Sequence, residues 1–216
     1  SLAETLEDPA EVATQENNLG RVHLEFGRFP AAAEAFRRAR AIDLRRQDVY
    51  ALAYDDRNLG WALSLMDDPA AEGILRRALA GSREANDRNN EGRTLYALAE
   101  HLRRGGRLDE ARSLHLRMLE LGAGLYDLRW AAQWALGEIA SAQSRAEDAA
   151  EWYRAAAAEV RRRGAGVARS SAIGPGRQDP YDALVRAALE AGRTAEAFAW
   201  AEGGRTHNTF LAVDGE

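Results

Sequence analysis

Four histidines, His23, His101, His115 and His207, are the first residues to test for chemistry, since imidazole both binds metals and moves protons near neutral pH. None lies three or four residues from another, so no pair shares a helical face that could hold a metal ion. Each is expected to be structural or solvent-facing. The acidic doublets Asp55-Asp56, Asp67-Asp68 and Glu147-Asp148 fall near expected helix ends. The last two precede or open a helix, where the dipole favours negative charge, and no general acid–base pair is read from any of them. No spacing of Ser, His and Asp supports a hydrolytic triad. The chain has no cysteine, which excludes disulfides, a thiolate nucleophile and thiolate metal sites. Gly164-Ala165-Gly166 follows a helix instead of leading from a strand into one, so it does not make a phosphate cradle. Arg161-Arg162-Arg163 closes a long helix whose C-terminal dipole favours cations; the alternative is an anion-binding or acidic-partner patch shared with the adjoining loop. The expectation is a chain that is not an enzyme, with no catalytic residue, no metal site and no cofactor.

The composition points the same way. Hydrophobic residues make up 46% of the 216, but aromatic residues only 7%, and alanine, leucine, arginine and glutamate favour helix over strand. All 29 basic residues are arginine, which with the alanine load reads as the codon bias of a GC-rich genome. A net charge of −5 with both signs interspersed argues against a nucleic-acid partner. No apolar run approaches the roughly 20 residues that span a bilayer, so no membrane segment is expected.

The elements that would position any site form a repeat. Leu19-Gly20 lies in a helix that stops near Gly27-Arg28-Phe29, and Pro30 sits in the first turn of the next, where a missing N–H is harmless. In that partner Ala32, Phe36 and Ala39 make one apolar stripe. Leu59-Gly60, the turn Met66-Asp67-Asp68-Pro69 and the stripe Ala71, Leu75, Ala78 copy the arrangement. Leu98-Ala99 with the turn Gly105-Gly106-Arg107 is a third copy and Leu136-Gly137 with Gln143-Ser144-Arg145 a fourth. Leu184-Val185 with Gly192-Arg193 is the fifth. The small residue early in each second helix is Ala32, Ala71, Ala111, Ala149 and Ala197, at spacings of 39, 40, 38 and 48. Two helices packed at the lower end of about 8–10 Å need Gly or Ala at the crossing. Leu19, Leu59, Leu98, Leu136 and Leu184 are expected to fill the space between hairpins.

A Leu-Gly pair, a polar break and a small residue four before an aromatic resemble the tetratricopeptide (TPR) repeat, over about Ala13 to Ala201. The commonest period of that repeat is about 34, so each helix here should be roughly a turn longer. The fold expected is all-α, a TPR-like right-handed α-solenoid of about five antiparallel hairpins. Repeats are placed near 13–45, 53–85, 92–122, 130–163 and 178–212. Residues 1–12 are read as the tail of a preceding helix and 164–179 as a glycine-rich loop. On each first helix the residue two before the Leu and the one after the Gly-like position are four apart and share a face other than the Leu face. They are Asn17/Arg21, Arg57/Trp61, Tyr96/Glu100, Trp134/Glu138 and Asp182/Arg186. In TPR proteins this face lines a concave groove, so the resemblance implies that these ten residues bind a protein or peptide. Trp61 and Trp134 could equally be packing between repeats.

A second resemblance is local. Glu196-Ala197-Phe198-Ala199-Trp200-Ala201-Glu202-Gly203-Gly204-Arg205, followed by Phe210-Leu211-Ala212, resembles the linker helix that closes the repeat array of bacterial CHAT proteins before their caspase-like domain. Gly203 and Gly204 replace residues commonly Arg or small there, and Thr206-His207-Asn208-Thr209 is more polar. The resemblance implies a protease domain after Glu216, with this array as the sensing or partner-binding arm of a cytoplasmic bacterial effector. The alternative is a TPR arm regulating a bacterial transcription factor or signalling ATPase. Oligomeric state is not read from the sequence.

Overall fold

Aspartates at helix starts and left-handed residues at helix ends divide the chain into ten helices among the described residues, with no strand. The computed structural model describes residues 8–121, 126–163, 180–190 and 192–213. The chain separates into two compact units, Ser1–Arg107 and Leu108–Glu216. The first holds α1 (Pro9–Glu25), α2 (Phe29–Arg46), α3 (Val49–Leu65), α4 (Ala71–Glu84) and α5 (Arg88–Arg104). The second holds α6 (Leu108–Glu120), α7 (Tyr126–Ala142), α8 (Ala146–Arg163), α9 (Pro180–Glu190) and α10 (Thr194–Val213). Most helices run 17 or 18 residues, as the long repeat period requires.

The helix starts are chemically explicit. The Asp8, Asp48 and Asp87 carboxylates accept from backbone N–H groups of Ala10, Ala51 and Asn90 at 2.9–3.0 Å, satisfying donors that the first turn leaves open. With Asp8 as cap and Pro9 as its first residue, α1 begins at Pro9, so residues 9–12 belong to its first turn and not to an earlier helix. The expected helix tail at Leu2–Glu7 and the glycine-rich loop lie outside the described residues.

Within the first unit the core is made by second-helix residues reaching under first-helix glycines. Ala32, Ala33 and Phe36 of α2 join Leu59, Ala62 and Leu63 of α3 and Ala71 of α4 in one buried cluster. A Cβ at Gly20 would lie 2.5 Å from Phe36, and one at Gly60 2.7 Å from Leu75, so these crossings admit only hydrogen. In the second unit Ala149, Tyr153 and Ala157 of α8 pack with Ala140 of α7 and with Tyr181, Ala183 and Leu184 of α9. Gly137 faces the Tyr153 ring in the same way. All five expected small residues, Ala32, Ala71, Ala111, Ala149 and Ala197, are buried.

Two expectations change. Leu59, Leu98, Leu136 and Leu184 are buried, but Leu19 is 43% exposed. Helix α1 turns Ala13, Asn17 and Gly20 inward, and no described helix covers the side bearing Leu19, Val22 and Phe26. Asp55 and Asp56 are not near a helix end: they lie in the middle of α3, and both are buried.

Candidate functional site

Helices α1, α3 and α5 lie in sequence along one side of the first unit, and polar side chains bridge them. Asn17 of α1 is buried; its amide donates to Asp55 Oδ1 of α3 and its carbonyl accepts from Asn58 Nδ2 at 3.0 Å. Arg57, one residue before Asn58, donates from Nε and Nη2 to Asn58 Oδ1 and from Nη1 to Asn90 Oδ1 of α5. Asn90 Nδ2 in turn donates to Ser82 Oγ of α4 at 2.9 Å. A chain of side-chain bonds thus runs from α1 through α3 to α5.

Arg57 is electrostatically unusual. Its guanidinium lies 4.3 Å from the centre of the Tyr54 ring and is half-buried, but its bonded neighbours are uncharged and no carboxylate pairs with it among the described residues. Burial, opposed by Tyr54 and Asp87 and reinforced by the nearby Arg93 charge, pulls its pKa down to about 10, which leaves it charged at neutral pH. A guanidinium has five N–H donors. Asn58 and Asn90 take three of them and the Tyr54 hydroxyl bonds the same guanidinium, so its donors are largely used within the chain.

Other expected site residues fall in different places. Arg21 is exposed and Trp61 half-buried. Tyr96 is only 1% exposed, and burial drives its hydroxyl pKa well up. Glu100 is buried and bonded to Arg103 at 2.9 Å. Neither side chain is open to a partner as the shared-face argument expected, because α5 buries every residue from Thr94 to Glu100.

In the second unit Trp134 is half-buried against the cluster around Tyr153 and Tyr181, so part of its ring is packing. Glu138 accepts from the Tyr153 hydroxyl at 2.6 Å and from Arg186 Nη2 at 2.8 Å. Glu138 and Arg186, separate members of the expected stripe, are therefore joined across two hairpins. Asp182 is exposed.

The sequence marks Asp55-Asp56 only as an acidic doublet near a helix end and does not single out Asp43. Asp56 accepts from Arg40 of α2 at 2.6 Å and from Arg77 of α4 at 2.6 and 2.7 Å, tying both helices to α3. Asp55 meets Asp43 of α2. Asn and Asp are poor residues for helix interiors, and their presence at 17, 43, 55, 56 and 58 was the available signal.

Three of the four histidines have described side chains. His101 Nδ1 lies 3.0 Å from Ser64 Oγ, and burial lowers its pKa, favouring the neutral ring. His115 is buried and His23 half-buried; the His207 side chain lies outside the described residues. No group of three or more His, Asp or Glu among the described residues is placed to hold a metal ion, and no described helix is long and apolar enough to cross a membrane.

No protein-family model matches the sequence, and no curated protein matches it. Solved structures do. A Podosopora anserina putative kinesin light chain with nearly identical TPR-like repeats matches with TM-score 0.69 and 18% identity, over 94% of this chain and 97% of that one. BtubC from P. vanneervenii matches with TM-score 0.71 and 17% identity, over 96% and 83%. A Rap protein complexed with competence and sporulation factor matches with TM-score 0.74 and 12% identity, over 94% of this chain and 55% of that one. At these identities the likeness is one of fold: the chain is an all-α solenoid of TPR-like helical hairpins.

Proposed function

We propose that the chain is a non-catalytic interaction scaffold that docks a protein or peptide on the first-helix faces of its hairpins. The observation that carries this reading is Arg57. A cation drawn partly out of water, held by two asparagines and a tyrosine ring, feels the Asp87 charge only at a distance and has no carboxylate in direct contact among the described residues. An acidic group on a partner would supply it at the open side of the guanidinium, and Arg21 and Trp61 on neighbouring first-helix positions would extend the contact. In the second unit Arg186, Asp182 and the outer part of Trp134 form the corresponding face. Arg and aromatic side chains are the usual anchors of such interfaces.

The test is selection of peptides from a displayed random library on the intact chain, followed by Arg57→Gln and Arg186→Gln. Selected peptides should lose at least about tenfold in affinity for one variant or the other, with helicity by circular dichroism unchanged. Peptides that bind both variants as tightly as the parent would place docking elsewhere and remove this reading.

Within that function, we assign the chain to the partner-binding arm of a CHAT-type bacterial protease, cytoplasmic as that class implies. The support is the segment Glu196–Ala212 in α10. Its departures from the linker pattern, Gly203 and Gly204, have a local cause: a Cβ at Gly204 would lie 3.1 Å from Tyr181 Cβ, and one at Gly203 3.3 Å from Tyr181 Cε1. Close approach of α9 to α10 thus selects the smallest residue. The coding sequence downstream of Glu216 tests the assignment. A caspase-like His and Cys support it; a helix-turn-helix or P-loop would transfer the arm to a transcription factor or signalling ATPase.

A further inference from the structure

The contact between α2 and α3 contains two carboxylates in an interior that should not hold two negative charges. Asp43 of α2 and Asp55 of α3 are buried, Asp55 completely at 0% exposure. Their side chains come within hydrogen-bonding reach of each other, and Asp55 Oδ2 has no other polar partner. Two buried carboxylates this close repel each other when both are ionised; one proton between them converts repulsion into a hydrogen bond. We propose that Asp43 and Asp55 share a single proton across the α2–α3 contact, which makes this joint between the first two hairpins sensitive to pH.

The surrounding charges relieve only Asp43 and leave Asp55 without a cation among the described residues. From α1 only the neutral Asn17 reaches Asp55. Arg46, also on α2, bonds Asp43 and lies 3.5 Å from Asp48. Arg40 of α2 and Arg77 of α4 are both committed to Asp56, the neighbouring acid on α3, whose charge adds to the repulsion. Arg83 of α4 is paired with Glu91 of α5. Burial first, opposed by the Asn17 hydrogen bond and reinforced by Asp43 and then Asp56, moves the Asp55 carboxyl up to about 7.

The sign follows from proton uptake. Between the ordinary carboxylate value of about 4 and about 7 the folded chain holds a proton that the unfolded chain has released, so stability falls as pH rises. Over that window the folding equilibrium constant should drop by up to about tenfold per pH unit from this site, then level off above it.

The experiment is denaturant unfolding of the intact chain from about pH 5 to about pH 8, for the parent, Asp55→Asn and Asp43→Asn, with carbon-13 carboxyl NMR of the parent. Expected is a fall of at least about tenfold in the parent's folding constant relative to Asp55→Asn across that range, and one aspartate titrating near neutrality. Equal pH slopes in parent and Asp55→Asn would overturn the inference. So would an Asp55 carboxyl titrating in the ordinary range, which the NMR reads even if a variant fails to fold. Restoration of the parent's stability at high pH by millimolar calcium would also overturn it, since the pair would then hold a cation in place of the proton. None of these readouts depends on whether the first-helix face binds a partner.

Discussion

A single hydrogen atom at position 137 sets how closely α7 and α8 approach. The Tyr153 ring lies where a Cβ would be built on Gly137. That ring cannot swing aside, because it is buried in the α7–α8–α9 cluster and its hydroxyl donates to Glu138. Gly137→Leu should therefore destabilise the chain by about 1–3 kcal/mol through overpacking, and Ala149→Leu likewise, read as a lower urea midpoint at unchanged slope. An unshifted midpoint in either would remove this helix register. Tyr153→Phe keeps the ring and loses one bond to Glu138, which retains Arg186; the expected loss is about 0.5–1.5 kcal/mol. These packing pairs were legible from sequence, since a Leu-Gly doublet and an Ala four before a large residue recur in register. Asp43 and Asp55 were not. They are 12 residues apart on different helices, and only the packing of α2 on α3 brings them together.

The hairpin turns share one backbone solution. At the end of each first helix in hairpins one, two, four and five, the chain turns through a left-handed residue: Gly27, Asp67, Ser144 and Gly192. The following N–H groups of Arg28, Asp68, Arg145 and Arg193 bond back five residues at 2.8–3.0 Å, the Schellman closure of a helix end. Gly106 and the bond from Arg107 to Leu102 end α5 in the same way. Glycine adopts this conformation freely, whereas other residues are strained there. Ser144 is exposed, so Ser144→Gly should stabilise the chain by about 0.5–1 kcal/mol, measured as a higher melting temperature. A lowered melting temperature would mean that the Ser144 side chain contributes more than its backbone costs. Asp56 works between elements, holding Arg40 of α2 and Arg77 of α4 to α3. Asp56→Asn should cost about 2 kcal/mol, since both guanidiniums lose a charged acceptor but remain partly exposed to water. The turns could be placed from Gly, Pro and polar clusters, but the Asp56 ties could not. A mid-helix Asp beside another Asp reads as surface charge until the neighbouring helices are in place.

At the scale of the whole chain, a solenoid gains stability from contacts between successive hairpins, so a local injury should stay local. The two compact units sharpen that expectation, each having its own buried cluster, around Phe36 and around Tyr153. Gly137→Leu strains the second cluster and touches nothing in the first. Native-state hydrogen exchange on this variant should accelerate at amides of α7 to α10, by roughly tenfold for each 1.4 kcal/mol lost, and leave α1 to α4 at parental rates. The complementary variant, Gly60→Leu, drives a side chain into Leu75 and meets the α4 backbone amide at 3.2 Å, so it should reverse the pattern. If either substitution accelerated exchange equally in both units, the chain would open as one cooperative block, and the nearest-neighbour description of its stability would fail.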